Sequence, residues 1–72
     1  MLGEELGKAR RAAGLTQEAL ALDAHVDRSY ISELEHDKKS PTVDMLLRLC
    51  KVLGVRASEL VARVEAAGEG DR

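Results

Sequence analysis

Residues 15–35 read LTQEALALDAHVDRSYISELE, and the placing of their apolar residues decides the fold. Thr16 stands where a helix N-cap is wanted, its hydroxyl able to accept from a free backbone N–H, with Gln17 and Glu18 in the first turn. Ala19, Leu20 and Ala24 give that helix an inward face. After His25 and Val26, Asp27 is placed to cap a second helix, and its charge suits the positive end of the helix dipole. Ile31 and Leu34 point inward. His25 falls where a left-handed residue is wanted, a backbone that His tolerates better than most side chains. Two short helices joined by so tight a turn cannot lie antiparallel; they cross steeply, as in a helix-turn-helix.

Working outward, Leu2, Leu6, Ala9 and Ala13 form one stripe of a preceding helix, which Gly14 stops. The central pair ends around His36 and Asp37, followed by a loop of Lys38, Lys39, Ser40 and Pro41. Thr42 caps a further helix, in which Val43, Leu46, Leu47, Cys50 and Leu53 repeat at three and four before Gly54. A last helix is expected from about Ala57 to Ala66, with Leu60, Val61 and Val64 apolar. The fold class is therefore all-α: one compact five-helix domain over 1–66, with 67–72 as a flexible C-terminal tail.

Composition narrows the function. The chain has 72 residues, Tyr30 as its only aromatic residue and Cys50 as its only cysteine. A core of Leu, Val, Ile and Ala suits short helices, and the want of aromatic platforms counts against single-strand or RNA binding. One cysteine excludes an internal disulfide framework and a cysteine zinc site. His25 and His36 stand one in each turn region, so no metal site is expected. No apolar run approaches the ~20 residues that span a bilayer. Acidic Glu4 and Glu5 near the start are unlike a signal peptide, which leaves the cytoplasm as the expected location. There is no glycine-rich phosphate loop, no nucleophile–base pair and too little chain for an enclosed pocket, so neither an enzyme nor a cofactor is expected.

The second helix of the pair carries the informative face. With Ile31 set at zero and about 100° per residue, Ser29, Ser32, Glu33 and His36 fall opposite the core. Arg28 lies in the first turn. This face is short, polar and free of the bulky anchors that a protein-binding surface favours.

The runs at 15–21, 26–35, 40–42 and 46–55 resemble the phage-repressor helix-turn-helix family of Cro and lambda-repressor type, also called the xenobiotic-response-element family. The resemblance covers about residues 2–62. It implies a lambda-repressor-like five-helix domain that places its third helix in the major groove of double-stranded DNA. It implies that Gln17 contacts a phosphate and braces the recognition helix. Arg28, Ser29, Ser32 and Glu33 match the positions that face base edges; Lys38, Lys39 and Ser40 match a loop on backbone phosphates. The chemistry agrees, since Arg suits guanine O6 and N7 and Glu can accept from cytosine N4. Glu33 could equally serve to orient Arg28. Tyr30, on the other flank, packs at the core edge or touches a phosphate or a thymine methyl. Arg10 and Glu35 match a structural ion pair between the first and third helices.

Three residues depart from the family pattern: His25 and Asp37 replace turn residues that are usually Gly or Asn, and Arg56 stands where Ser commonly caps the last helix. The run DRSYIS also resembles controller proteins of restriction–modification systems. One domain reads a half-site of about four or five base pairs, so a homodimer on a roughly palindromic operator is expected. Leu47, Leu49, Leu60, Val61 and Val64 exceed what one small core needs and are the expected dimer interface. The formal net charge of −2 favours the alternative, a protein-interaction module of the same fold with little DNA binding, such as a coactivator or antitoxin.

Overall fold

The computed structural model describes residues 1–70 and contains five helices: α1 (Leu2–Ala12), α2 (Gln17–Ala24), α3 (Arg28–Glu35), α4 (Val43–Leu53) and α5 (Ala57–Gly70). No strand occurs among the described residues. Thr16 and Thr42 cap α2 and α4 as expected. Their hydroxyls accept from the amides of Ala19 at 3.0 Å and Met45 at 3.1 Å. Asp27 takes the extended backbone of an N-cap, but its carboxylate makes no capping hydrogen bond. The Asp27 carbonyl instead accepts from Tyr30 and Ile31, and the side chain acts on the helix dipole only through its charge.

The first four helices all end in the same backbone closure. An amide two or three residues past the helix donates back across one left-handed residue. Leu15 bonds Arg10 across Gly14 at 3.1 Å, and Val55 bonds Cys50 across Gly54 at 3.1 Å. Val26 bonds Ala21 across His25 at 2.9 Å, and Lys38 bonds Glu33 across Asp37 at 2.9 Å. His25 (φ 59°) and Asp37 (φ 56°) therefore hold the conformation that glycine adopts at the other two ends.

Leu6, Ala9, Leu20, Ala21, Ala24, Ile31, Leu34, Leu49, Cys50, Leu53 and Leu60 form the core. Here two expectations are corrected. Leu49 and Leu60 are each 1 % exposed, so they hold the monomer together and cannot line a dimer contact. The inward stripe of α4 is the buried Leu49, Cys50 and Leu53 with the half-buried Leu46 beside them, at helical spacing, which turns Val43 and Leu47 outwards. Of the expected interface residues on α5, Val61 is exposed and Val64 half-buried. Burial also pushes the Cys50 thiol up from its ordinary pKa.

The tail expected from residue 67 begins as helix: α5 runs on to Gly70, and Asp71 and Arg72 lie outside the described residues. Ala66 and Ala67 are strong helix formers. Gly68 lies close to Met1, whose Cε would be 3.1 Å from a Cβ built there. No helix among the described residues is long and apolar enough to cross a membrane.

Candidate DNA interface

α2 and α3 cross at the turn formed by His25, Val26 and Asp27, and the buried Ala24, Ile31 and Leu34 fix their packing. A second contact holds the turn from behind, where Arg48 Nη1 on α4 donates to the Ala24 carbonyl at 3.4 Å. Burying Ile31 and Leu34 forces the opposite side of α3 outwards. Arg28, Ser29 and His36 are exposed, with Ser32 and Glu33 half-buried beside them. Lys38, Lys39 and Ser40 are exposed in the loop that follows. The structure thus brings the proposed base-reading residues onto one continuous polar face, with the basic loop at its C-terminal end.

Not all of these side chains are free. Glu33 pairs with Lys39, Nζ to Oε1 at 3.5 Å. His36 Nδ1 lies 2.7 Å from the Ser32 carbonyl. A carbonyl can only accept, so this nitrogen carries the proton and the ring is locked against the helix.

The face is positioned by a nearly buried ion pair. Arg10 Nε donates to Glu35 Oε2 at 2.7 Å and Nη2 donates to Oε1 at 3.2 Å. Arg10 Nη1 reaches the Leu15 carbonyl at 2.8 Å. Gln17 Nε2 donates to Glu35 Oε1 at 3.2 Å, so α1, α2 and α3 meet on one carboxylate, and Arg10 ties the loop before α2 to them. The side chains of Arg10 and Glu35 are 12 % and 9 % exposed. Burial alone would raise the Glu35 pKa. The hydrogen bonds from Arg10 and Gln17, with the charges of Arg10 and Arg11, outweigh it and hold the carboxyl below its ordinary value. Gln17 keeps a second amide hydrogen for another acceptor.

One contact was not expected from the sequence. Asp37 Oδ1 accepts from the Gly3 amide at 2.9 Å and Oδ2 from the Met1 ammonium at 2.9 Å. The signal for it lay in Gly3 and Gly7, two glycines inside a helix, which mark close backbone approach. A Cβ on Gly3 would fall 2.4 Å from the Glu35 carbonyl oxygen, and one on Gly7 3.3 Å from Glu35 Oε1.

Such a bundle, with a polar helix held outwards across a tight turn, defines a helix-turn-helix DNA-binding domain. The chain belongs to the helix-turn-helix family, whose model matches residues 6–60, and it is a transcriptional regulator of lambda-repressor-like fold rather than an enzyme. It is 35 % identical over 72 residues to the uncharacterized HTH-type transcriptional regulator y4dJ of Sinorhizobium fredii, covering 100 % of this chain and 94 % of y4dJ. The clp gene regulator ClgR of Corynebacterium glutamicum superposes with a TM-score of 0.83 at 34 % identity, over 94 % of this chain and 70 % of ClgR. The biofilm regulator SinR, solved in complex with DNA, superposes at 0.79 with 29 % identity, over 85 % of this chain and 98 % of SinR. A phage immunity repressor and the restriction–modification controller protein C.AhdI are also similar. Some longer regulators match only in part, the chain spanning 36 % of PuuR of Escherichia coli.

Proposed function

We propose that the protein is a cytoplasmic, sequence-specific regulator that binds double-stranded DNA as a homodimer, with α3 in the major groove of a roughly palindromic operator. The observation that carries this reading is the polar outer face of α3, locked in place from within by Glu35. Arg28, at the first turn of α3, reads a guanine through O6 and N7; Ser29, Ser32 and Glu33 complete the base contacts. Gln17, Lys38, Lys39 and Ser40 set register on the phosphates. SinR, similar in fold, has been crystallised on DNA, which supports the assignment. Leu47 and Val61, 53 % and 41 % exposed, with Val64 beside Val61 on α5, are the residues left to join two copies.

The test is binding to a randomised DNA pool at low salt, followed by sequencing of the retained molecules. A recovered palindrome establishes a dimeric sequence-specific regulator. Folded protein that retains no sequence would overturn the reading in favour of a protein-interaction module.

A further inference from the structure

Glu33 is an acid on a surface that the proposed function turns towards phosphates. A carboxylate there repels the duplex unless something neutralises it. Lys39 Nζ lies 3.5 Å from Glu33 Oε1 and 6.0 Å from the centroid of the Tyr30 ring, at the outer edge of cation–π reach. Tyr30 and Glu33 are three residues apart on α3 and so are neighbours along the helix surface. Lys39 comes back onto both of them from the loop, whose path is fixed by the left-handed Asp37 and the Lys38–Glu33 backbone bond.

Folding does not account for this arrangement. The two side chains are 56 % and 38 % exposed, and exposed pairs contribute little to stability. The arrangement does have a consequence for recognition. The lysine is within ion-pair distance of Oε1, which leaves Oε2 to accept from an exocyclic amino group such as cytosine N4.

Resting on the reading of α3 as the DNA-reading helix, we propose that Lys39 is the resident counter-ion of Glu33, and that the pair acts as one specificity determinant for an amino-bearing base edge. Lys39 then differs from its neighbour Lys38. Lys38 serves the phosphates alone, whereas Lys39 makes an acid tolerable on the reading surface.

The experiment is a double-mutant cycle on the full chain, using the operator recovered from the randomised pool and its single-base variants. The proteins are wild type, Lys39→Met, Glu33→Gln and the double variant. Lys39→Met should weaken operator binding about five- to tenfold more in the wild-type background than when Glu33→Gln is already present. Glu33→Gln should move the preference at one base position of each half-site towards adenine, which Gln pairs through N6 and N7. Lys39→Arg should restore most of the affinity. Thermal unfolding curves of the four proteins should superimpose. Equal losses from Lys39→Met in both backgrounds would overturn the proposal while leaving DNA recognition by α3 intact. Wild-type protein that retains no sequence would instead remove the reading on which the proposal rests, and the proposal with it.

Discussion

Asp37 caps helix α1 from 34 residues away, its Oδ1 taking the Gly3 amide at 2.9 Å. The contact brings the start of α1 against the end of α3 so closely that the Gly3 position has no room for a methyl group, with the Glu35 and Leu34 carbonyl oxygens 2.4 and 2.5 Å from a Cβ there. Backbone, unlike a flexible side chain, cannot move aside cheaply. Gly3→Ala should therefore destabilise the domain by about 1–3 kcal/mol, against the usual helical preference for Ala. Urea denaturation measures it, and an unchanged or raised midpoint would show that the two helices can separate without cost.

Glu35 should make stability depend on acid. Its pKa is lowered in the folded state, so its contribution is fully present above the ordinary carboxylate value of the unfolded chain and is lost as pH falls through the folded value. Asp37, held low first by the N-terminal ammonium and then by the Gly3 amide, acts in the same direction. Glu35→Gln should lower stability near neutrality, by up to about 3 kcal/mol because Arg10 is left unpaired. It should also flatten the decline with acid. A variant whose stability falls with acid as steeply as the wild type would assign that decline to other groups.

His25 holds the left-handed conformation (φ 59°), at a cost of about 1–2 kcal/mol relative to glycine. Part of that is returned by the greater freedom of glycine in the unfolded chain. His25→Gly should raise the melting temperature by a few degrees, about the shift expected for 1 kcal/mol or less in a domain of this size. Asp37→Gly relieves the same strain but forfeits the bond to Gly3, so it should stabilise less or not at all. Equal gains from both would mean that the Asp37 carboxylate contributes nothing.

Arg28 and Lys38 should fail in different ways on DNA. Arg28→Ala should cost about 1–3 kcal/mol at one operator position and relax the preference there. Lys38→Ala should weaken every sequence alike and reduce the salt slope by about one. Competition binding with single-base operator variants separates the two. A uniform loss from Arg28→Ala would assign it to the phosphates.

Leu47 and Leu60 separate assembly from folding. Leu47→Glu, on an exposed position, should leave the helical spectrum intact and yield a monomer by sedimentation. Leu60→Ala should instead cost about 2–5 kcal/mol of stability, as expected for a core leucine. A dimer that survives Leu47→Glu and Val61→Glu together would place the interface elsewhere.

The contrast shows where sequence patterns are informative. Helix number, the caps at Thr16 and Thr42 and the outward face of α3 follow from local rules, because each is fixed by residues within a turn or two of one another. The partition of apolar residues between core and surface does not. Val43, Leu47 and Leu49 are indistinguishable by type, and only the rotation of α4 against α2 and α5 buries the third and exposes the first two. Asp37 was legible as a turn residue and Gly3 as an oddity in a helix. Their bond joins residues far apart in the chain, which neither periodicity nor propensity can pair. The pairing of Glu33 with Lys39 escaped for a related reason, since it depends on a loop doubling back onto the helix it leaves.

Tyr30 is the chain's only aromatic residue, half-buried on the flank of α3 with a lysine ammonium over its ring. With no tryptophan to mask it, its near-ultraviolet signal reports on a single place in the molecule, at the margin of the outward face of α3. The domain thus carries its own optical probe, and packing at this one place can be followed in the free, unlabelled protein.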